Sequence, residues 1–169
     1  MATIYQTLAP EEAQFMSTAF PQFLRTLGTN YPVTGLAYDA TTDEAAFFKF
    51  SAFSYGSGNL TLDIYWYADT GTSANVVWES QIAAITADTD TQDVETDGLA
   101  SLNFVQDTHL GTTGQRLHKA TITISNLDSL AAGDVVWLRL ARDANSTSAT
   151  DDMTGDAIVV LAVISYSDT

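Results

Sequence analysis

Gly133-Asp134-Val135-Val136-Trp137-Leu138-Arg139-Leu140-Ala141-Arg142-Asp143-Ala144, a polar loop, and then Gly155-Asp156-Ala157-Ile158-Val159-Val160-Leu161-Ala162-Val163-Ile164-Ser165-Tyr166 decide the fold class. In the first stretch Val136, Leu138 and Leu140 alternate with Trp137, Arg139 and Ala141, the period of a strand with one buried face. The second is a longer apolar run, far too short to span a bilayer as a helix. Two such strands need partner strands to cover them, which points to an all-β domain of two sheets.

Working upstream, the same texture repeats. Leu60, Leu62, Ile64 and Trp66 oppose Thr61, Asp63, Tyr65 and Tyr67, and Ala120, Ile122 and Ile124 oppose Thr121 and Thr123. The pattern predicts eight strands, over Val33–Tyr38, Glu44–Phe53, Leu60–Ala68, Asn75–Ile85, Ala100–Val105, Arg116–Ser125, Asp134–Arg142 and Ala157–Ser167. Clusters of Gly, Ser, Thr, Asn and Asp separate them, which is turn chemistry. No helix of ordinary length intervenes, so βαβ crossovers are excluded. Alternation of this kind belongs to antiparallel sheets with one solvated face. Eight strands suit a two-sheet antiparallel β-sandwich of jelly-roll type. An immunoglobulin-type sandwich is the rival, but its Cys…Trp…Cys signature is absent. The expected core holds Leu62, Ile64, Trp66, Ile122, Ile124, Leu138, Leu140, Val160 and Ile164.

Residues 1–32 read differently, as a mostly irregular N-terminal arm before a sandwich domain over 33–169. Pro10-Glu11-Glu12 suggests a short helix, with proline and acids in the first turn. Ile4, Tyr5, Leu8, Phe15, Phe20 and Phe23 are too apolar for a free tail, and they are the candidate contacts to a partner.

The net charge is −15, from 21 acids and 6 bases, which argues against nucleic acid and anionic membrane surfaces as partners. Cysteine is absent, so there are no disulfides and no thiolate metal site. Met1–Gln6 shows no secretory pattern, and the sequons at Asn59 and Asn145 are read as chance.

Chemistry-bearing constellations are sparse. His109 reads as loop and His118 as the edge of a strand, and neither has a triad context. Asp88, Asp90, Asp93, Glu95 and Asp97 lack the spacing of a calcium loop; Asp143, Asp151, Asp152 and Asp156 form a second acidic group. Asp63 and Glu79 are strand acids on the expected solvent face, not a pair across a cleft. Tyr65, Tyr67 and Trp137 are candidates for a sugar-binding face, and equally ordinary cross-strand neighbours. The expectation is a protein without catalytic residues, cofactor or essential metal. Arg142 is the expected structural anchor of the loop that follows it, donating to Asp143, Asp152 or Asp156.

The stretch from Trp137 to Ala144, the loop Asp151-Asp152-Met153-Thr154-Gly155-Asp156-Ala157 and the last strand through Tyr166 resemble the C-terminal end of small jelly-roll proteins of tailed bacteriophage virions. Leu60 to Trp66 followed by Ala74-Asn75-Val76-Val77-Trp78-Glu79 is similar to the paired middle strands of that group. The resemblance implies a head decoration (cement) protein on the outer capsid surface of the virion, with the major capsid protein as partner and a homotrimer as its own assembly. The alternative is a head-fibre or tail-associated module recognising host cell-surface glycans. A glycoside-acting enzyme is the third class.

Overall fold

The computed structural model describes residues 2–169, and they form two antiparallel sheets packed face to face. Ten strands follow in order: β1 (Thr3–Leu8), β2 (Gln22–Leu27), β3 (Pro32–Tyr38), β4 (Glu44–Ser51), β5 (Leu60–Ala68), β6 (Ala74–Ile85), β7 (Asn103–His109), β8 (His118–Ile124), β9 (Val135–Arg142) and β10 (Ala157–Ser167). One sheet runs β2-β3-β10-β5-β8, with β1 also paired to β10; the other runs β4-β9-β6-β7. From β3 onward the pairings nest: β3 with β10, β4 with β9, β5 with β8 and β6 with β7. This is a long hairpin rolled so that its two arms alternate between the sheets, the jelly-roll arrangement the strand count predicts. Among the described residues no helix is long and apolar enough to cross a membrane.

All eight expected strands form, most within a residue or two of their expected bounds. The one predicted as Ala100–Val105 lies further on, as β7, and so takes in His109, whose Gly- and Thr-rich surroundings read as loop. Its register is set by β6, from Ser80 opposite Asn103 to Ala74 opposite His109. The inward faces bury Leu62, Ile64, Trp66, Ile122, Ile124, Leu138, Leu140 and Ile164 as expected. Val160 is the exception: it is half-buried on the outer side. A bulge in β10 between Val159 and Leu161 shifts the register against β5 and exchanges the faces. Val159 therefore enters the core in place of Val160.

The irregular arm expected over residues 1–32 is built into the sandwich. β1 pairs along β10 from Thr3 opposite Ser167 to Leu8 opposite Ala162, and β2 pairs along β3. Between them a 3₁₀ turn over Pro10–Glu12 replaces the expected short helix. The chain then runs beside the free edge of β4, where the Gln14 and Phe47 backbones exchange hydrogen bonds and the Ala45 N–H donates to the Ala19 carbonyl. An exposed strand edge invites pairing with other chains, and this strap covers it. The apolar residues that suggested an arm are what fix the strap: Leu8 is buried in the core and Ile4 packs against it, while Phe15 and Phe20 stack with centroids 5.6 Å apart.

Candidate functional site

Because β1 occupies the edge of β10 from Ala162 onward, β3 can pair with β10 only from Tyr38 to Leu36. The rest of β3 continues with β2 as a two-stranded hairpin beside the outer face of its sheet. Between this hairpin and the sheet lies a cleft of about 450 Å³. Leu24 and Val33 line it from the hairpin, Ile158 and Val160 from β10, and Tyr67 and Leu117 from the far side. Thr26, Tyr31, Asp69 and Gln115 supply polar groups around this apolar surface. Gly35 sits beside the cleft floor, where a Cβ would come within 2.6 Å of Ile158 Cγ2 and 3.0 Å of the Val159 carbonyl oxygen. A side chain at that position would push the hairpin off β10.

The bulge that removes Val160 from the core places it in this cleft. The Gln115 Nε2 donates to Asp69 Oδ1 at 2.8 Å, which pairs an amide and a carboxylate at one wall. Burial, and then the Asp69 carboxylate, push the Tyr67 phenol above its ordinary value, so it remains a neutral hydroxyl. Tyr31, at the tip of the hairpin, is 71 % exposed, so the cleft has one tyrosine seated against the sheet and one open to solvent.

The structure separates the three aromatic candidates. Tyr65 and Tyr67 share the outer face of β5, while Trp137 projects from β9 on the opposite side of the sandwich. There Trp137 borders a shallow hollow of about 180 Å³ with Gln14, Phe15, Met16 and Phe47. Asp63 lies on the outer face as expected, bonded to Lys119 at 3.2 Å and Thr121 at 2.6 Å. Glu79, expected at the solvent face, is buried instead. The loop after β9 folds over it, Ser148 Oγ donating to Glu79 Oε1 at 2.7 Å, and Arg139 lies 3.4 Å from its other oxygen. The two acids are thus on opposite sheets and form no catalytic pair.

Arg142 pairs with none of the expected acceptors Asp143, Asp152 and Asp156. Its guanidinium forms a two-pronged pair with Asp151, at 2.9 and 2.8 Å, and donates to the carbonyls of Met153, Gly155 and Tyr38. Asp143 is buried and accepts from the Thr147 and Ser148 backbone N–H groups; Asp152 accepts from Asn75 N–H; Asp156 is exposed. The local spacing suggested Asp143, Asp152 or Asp156, but only the chain reversal at Ser146–Asp151 brings the right carboxylate under the guanidinium. In the other acidic stretch Asp90, Asp93 and Asp97 accept from nearby backbone N–H groups and close turns. Among the described residues no three His, Asp or Glu side chains are placed to hold one metal ion.

Of the six residues expected to meet a partner, Leu8 is sequestered in the core, and Tyr5, Phe15, Phe20 and Phe23 are at least 41 % exposed. The cleft residues Leu24, Tyr31, Leu117 and Gln115 were not singled out by sequence reasoning. Of these, Leu117 alone carried a local signal, an apolar residue in a polar segment.

No family model matches the chain, and no curated protein matches it. Among solved structures it is similar to the CBM36-1 domain of a multidomain xylanase from the hindgut metagenome of Trinervitermes trinervoides, with a TM-score of 0.49 and 8 % identity over 95 % of this chain and 96 % of that one. It is also similar to TmCBM27, a carbohydrate-binding module that recognises mannan, with a TM-score of 0.46 and 10 % identity over 99 % of both chains. The family 11 carbohydrate-binding module from Clostridium thermocellum gives 0.46 and 8 % over 95 % of this chain and 87 % of that one. The architecture of this chain rests on its own strand pairing, described above.

Proposed function

We propose that this chain is a non-catalytic glycan-recognition module that binds through the cleft on the outer face of the β2-β3-β10-β5-β8 sheet. The observation that carries the reading is the composition of that cleft: an apolar floor, tyrosines at two positions, and a carboxylate–amide pair at one wall. A pyranose presents C–H groups on its faces and hydroxyls around its rim. Tyr67 and Tyr31 match the first by stacking, and Asp69, Gln115 and Thr26 match the second by hydrogen bonding. A concave, mostly apolar site with a few placed polar groups is the usual form of a small-ligand site. Among the described residues no histidine or acid pair lines the cleft in an arrangement for bond cleavage, so binding is the role assigned.

The decoration reading rests on the sequence resemblance and on an apolar arm free to meet a partner, and that arm is a strap of the sandwich. Attachment to the outer surface of a capsid, as a homotrimer, would now have to use the exposed Tyr5, Phe15, Phe20 and Phe23. One experiment separates the two. Wild-type protein and Tyr67→Ala are run through native gels containing soluble polysaccharides and, in parallel, incubated with undecorated phage capsids. The glycan reading expects retardation in at least one polysaccharide and its loss in Tyr67→Ala. Capsid binding that Tyr67→Ala leaves unchanged, with no retardation in any polysaccharide, would overturn it.

A further inference from the structure

The loop between β7 and β8, residues 110–117, carries Gln115 and Leu117 into the cleft wall. It is flanked by the chain's two histidines, and they meet. His109 ends β7 in one sheet and His118 begins β8 in the other, with ring centroids 4.6 Å apart. Both rings are buried, His118 also lies against Trp66 at 5.2 Å, and the Nε2 of each has no hydrogen-bond partner. His109 Nδ1 stands between two groups that make opposite demands. The Gly111 N–H donates to it at 3.2 Å, which requires a lone pair, and the Thr72 carbonyl oxygen lies 3.1 Å away, which requires a proton. The loop itself is held in a strained shape, with positive φ at Gly111 (67°), Thr112 (66°) and Gln115 (60°). For a β-branched threonine and a glutamine this conformation persists only while the surroundings enforce it.

We propose that the His109–His118 pair is a proton-operated latch on the 110–117 loop, holding the cleft wall closed at neutral pH and releasing it in acid. With His109 neutral and its proton on Nε2, Nδ1 accepts from Gly111 and pins the start of the loop. Protonation turns Nδ1 into a donor, which transfers the bond to the Thr72 carbonyl and leaves the Gly111 N–H without its acceptor. The charge is also poorly housed. Asp107 on β7 spends Oδ2 on the Trp66 indole N–H and Oδ1 on the Thr108 N–H. Asp69 is engaged by Gln115, and Lys119 on β8 by Asp63; Arg116 in the loop adds positive charge nearby. The adjoining Ala74 and Asn75 of β6 carry no charge. Burial first, then His109 and Arg116, hold the His118 imidazole below its ordinary range, against an opposing pull from Asp107.

The latch is tested without a ligand first. Proton NMR follows the two histidine rings through a titration, and amide exchange of residues 110–117 is compared at about pH 5 and about pH 7.5 after correction for intrinsic rates. The expected result is a His118 titration below the ordinary histidine value, with loop exchange faster by about tenfold or more in acid. His109→Asn places a carboxamide oxygen where it can accept from Gly111 and cannot be protonated; its loop exchange should lose the acid dependence. His118→Phe keeps a ring against Trp66 and should reduce it, and serves if the first variant fails to fold. Equal exchange of the wild-type loop at both pH values, or acid release that survives in the folded variants, overturns the latch. The claim about the cleft rests on the glycan reading. For a polysaccharide that binds at neutral pH, acid should weaken wild-type binding about tenfold and His109→Asn binding far less. No binding at any pH defeats the glycan reading and leaves the loop result standing; binding that ignores pH while the loop opens overturns the gating.

Discussion

Replacing Asp151 by asparagine should destabilise the protein by about 3–5 kcal/mol, a large part of the roughly 5–15 kcal/mol that holds a domain folded. The Asp151 and Arg142 side chains are 1 % and 0 % exposed, and the two prongs between them measure 2.9 and 2.8 Å. The carboxamide would keep the shape and one acceptor but leave a buried guanidinium without a counter-charge, the costly half of a broken ion pair. Asp151 Oδ2 also accepts from the Val77 N–H at 3.0 Å, so the substitution disturbs one of several ties between the loop after β9 and β6. Arg142→Leu should be at least as severe, because the Tyr38, Met153 and Gly155 carbonyls each lose a donor, at about 1 kcal/mol or more apiece. In the double variant the two losses should overlap by about 2 kcal/mol or more, since the pair can be broken only once. Urea unfolding followed by tryptophan fluorescence measures all three. A cost below about 1 kcal/mol for Asp151→Asn, or strict additivity in the double variant, would show that solvent reaches the pair and that the argument from burial is mistaken.

Ile122 is buried in the core, so Ile122→Ala should cost about 2–5 kcal/mol in the same assay. The bulge in β10 makes Val159→Ala cost about 2 kcal/mol and Val160→Ala distinctly less, the reverse of what unbroken alternation predicts. His118 is held below its unfolded value by burial, so the unfolded chain binds the extra proton. Its contribution to stability is therefore complete above the unfolded value of about 6.5 and is lost as pH falls toward the folded one, a trend that His118→Phe should flatten in pH-dependent melts. Thr112→Gly relieves a left-handed conformation and should stabilise the protein by up to about 1 kcal/mol, if the relief exceeds the added freedom of the unfolded chain; a clear loss on melting would show the loop to be unstrained.

The strands and most of the core are written in the chain itself. Period-two alternation is a local property, so Leu60 to Ala68 and Lys119 to Ile124 reveal their buried faces without knowledge of their neighbours. Eight such strands suit two sheets, and the pairings β3–β10, β4–β9, β5–β8 and β6–β7 give them the nested order of a jelly roll. That a guanidinium at the end of a buried strand must find acceptors is legible at Arg142; that its carboxylate is Asp151 is not.

Whatever depends on which strand edge is free emerges only in the folded molecule. Nothing in Thr3–Leu8 says that it will take the edge of β10, yet that pairing turns an expected arm into a strap, stops β3 at Leu36 and opens the cleft beside the hairpin. The outward turn of Val160 depends on a register shift against β5, since inserting one residue exchanges the faces of a strand while leaving its composition unchanged. His109 and His118 lie nine positions apart on two polar-looking strand ends, and they meet only because β7 and β8 are the facing edges of different sheets. Alternation is set by neighbouring residues; register, edges and cross-sheet encounters are settled by the competition of distant segments for the same backbone hydrogen bonds.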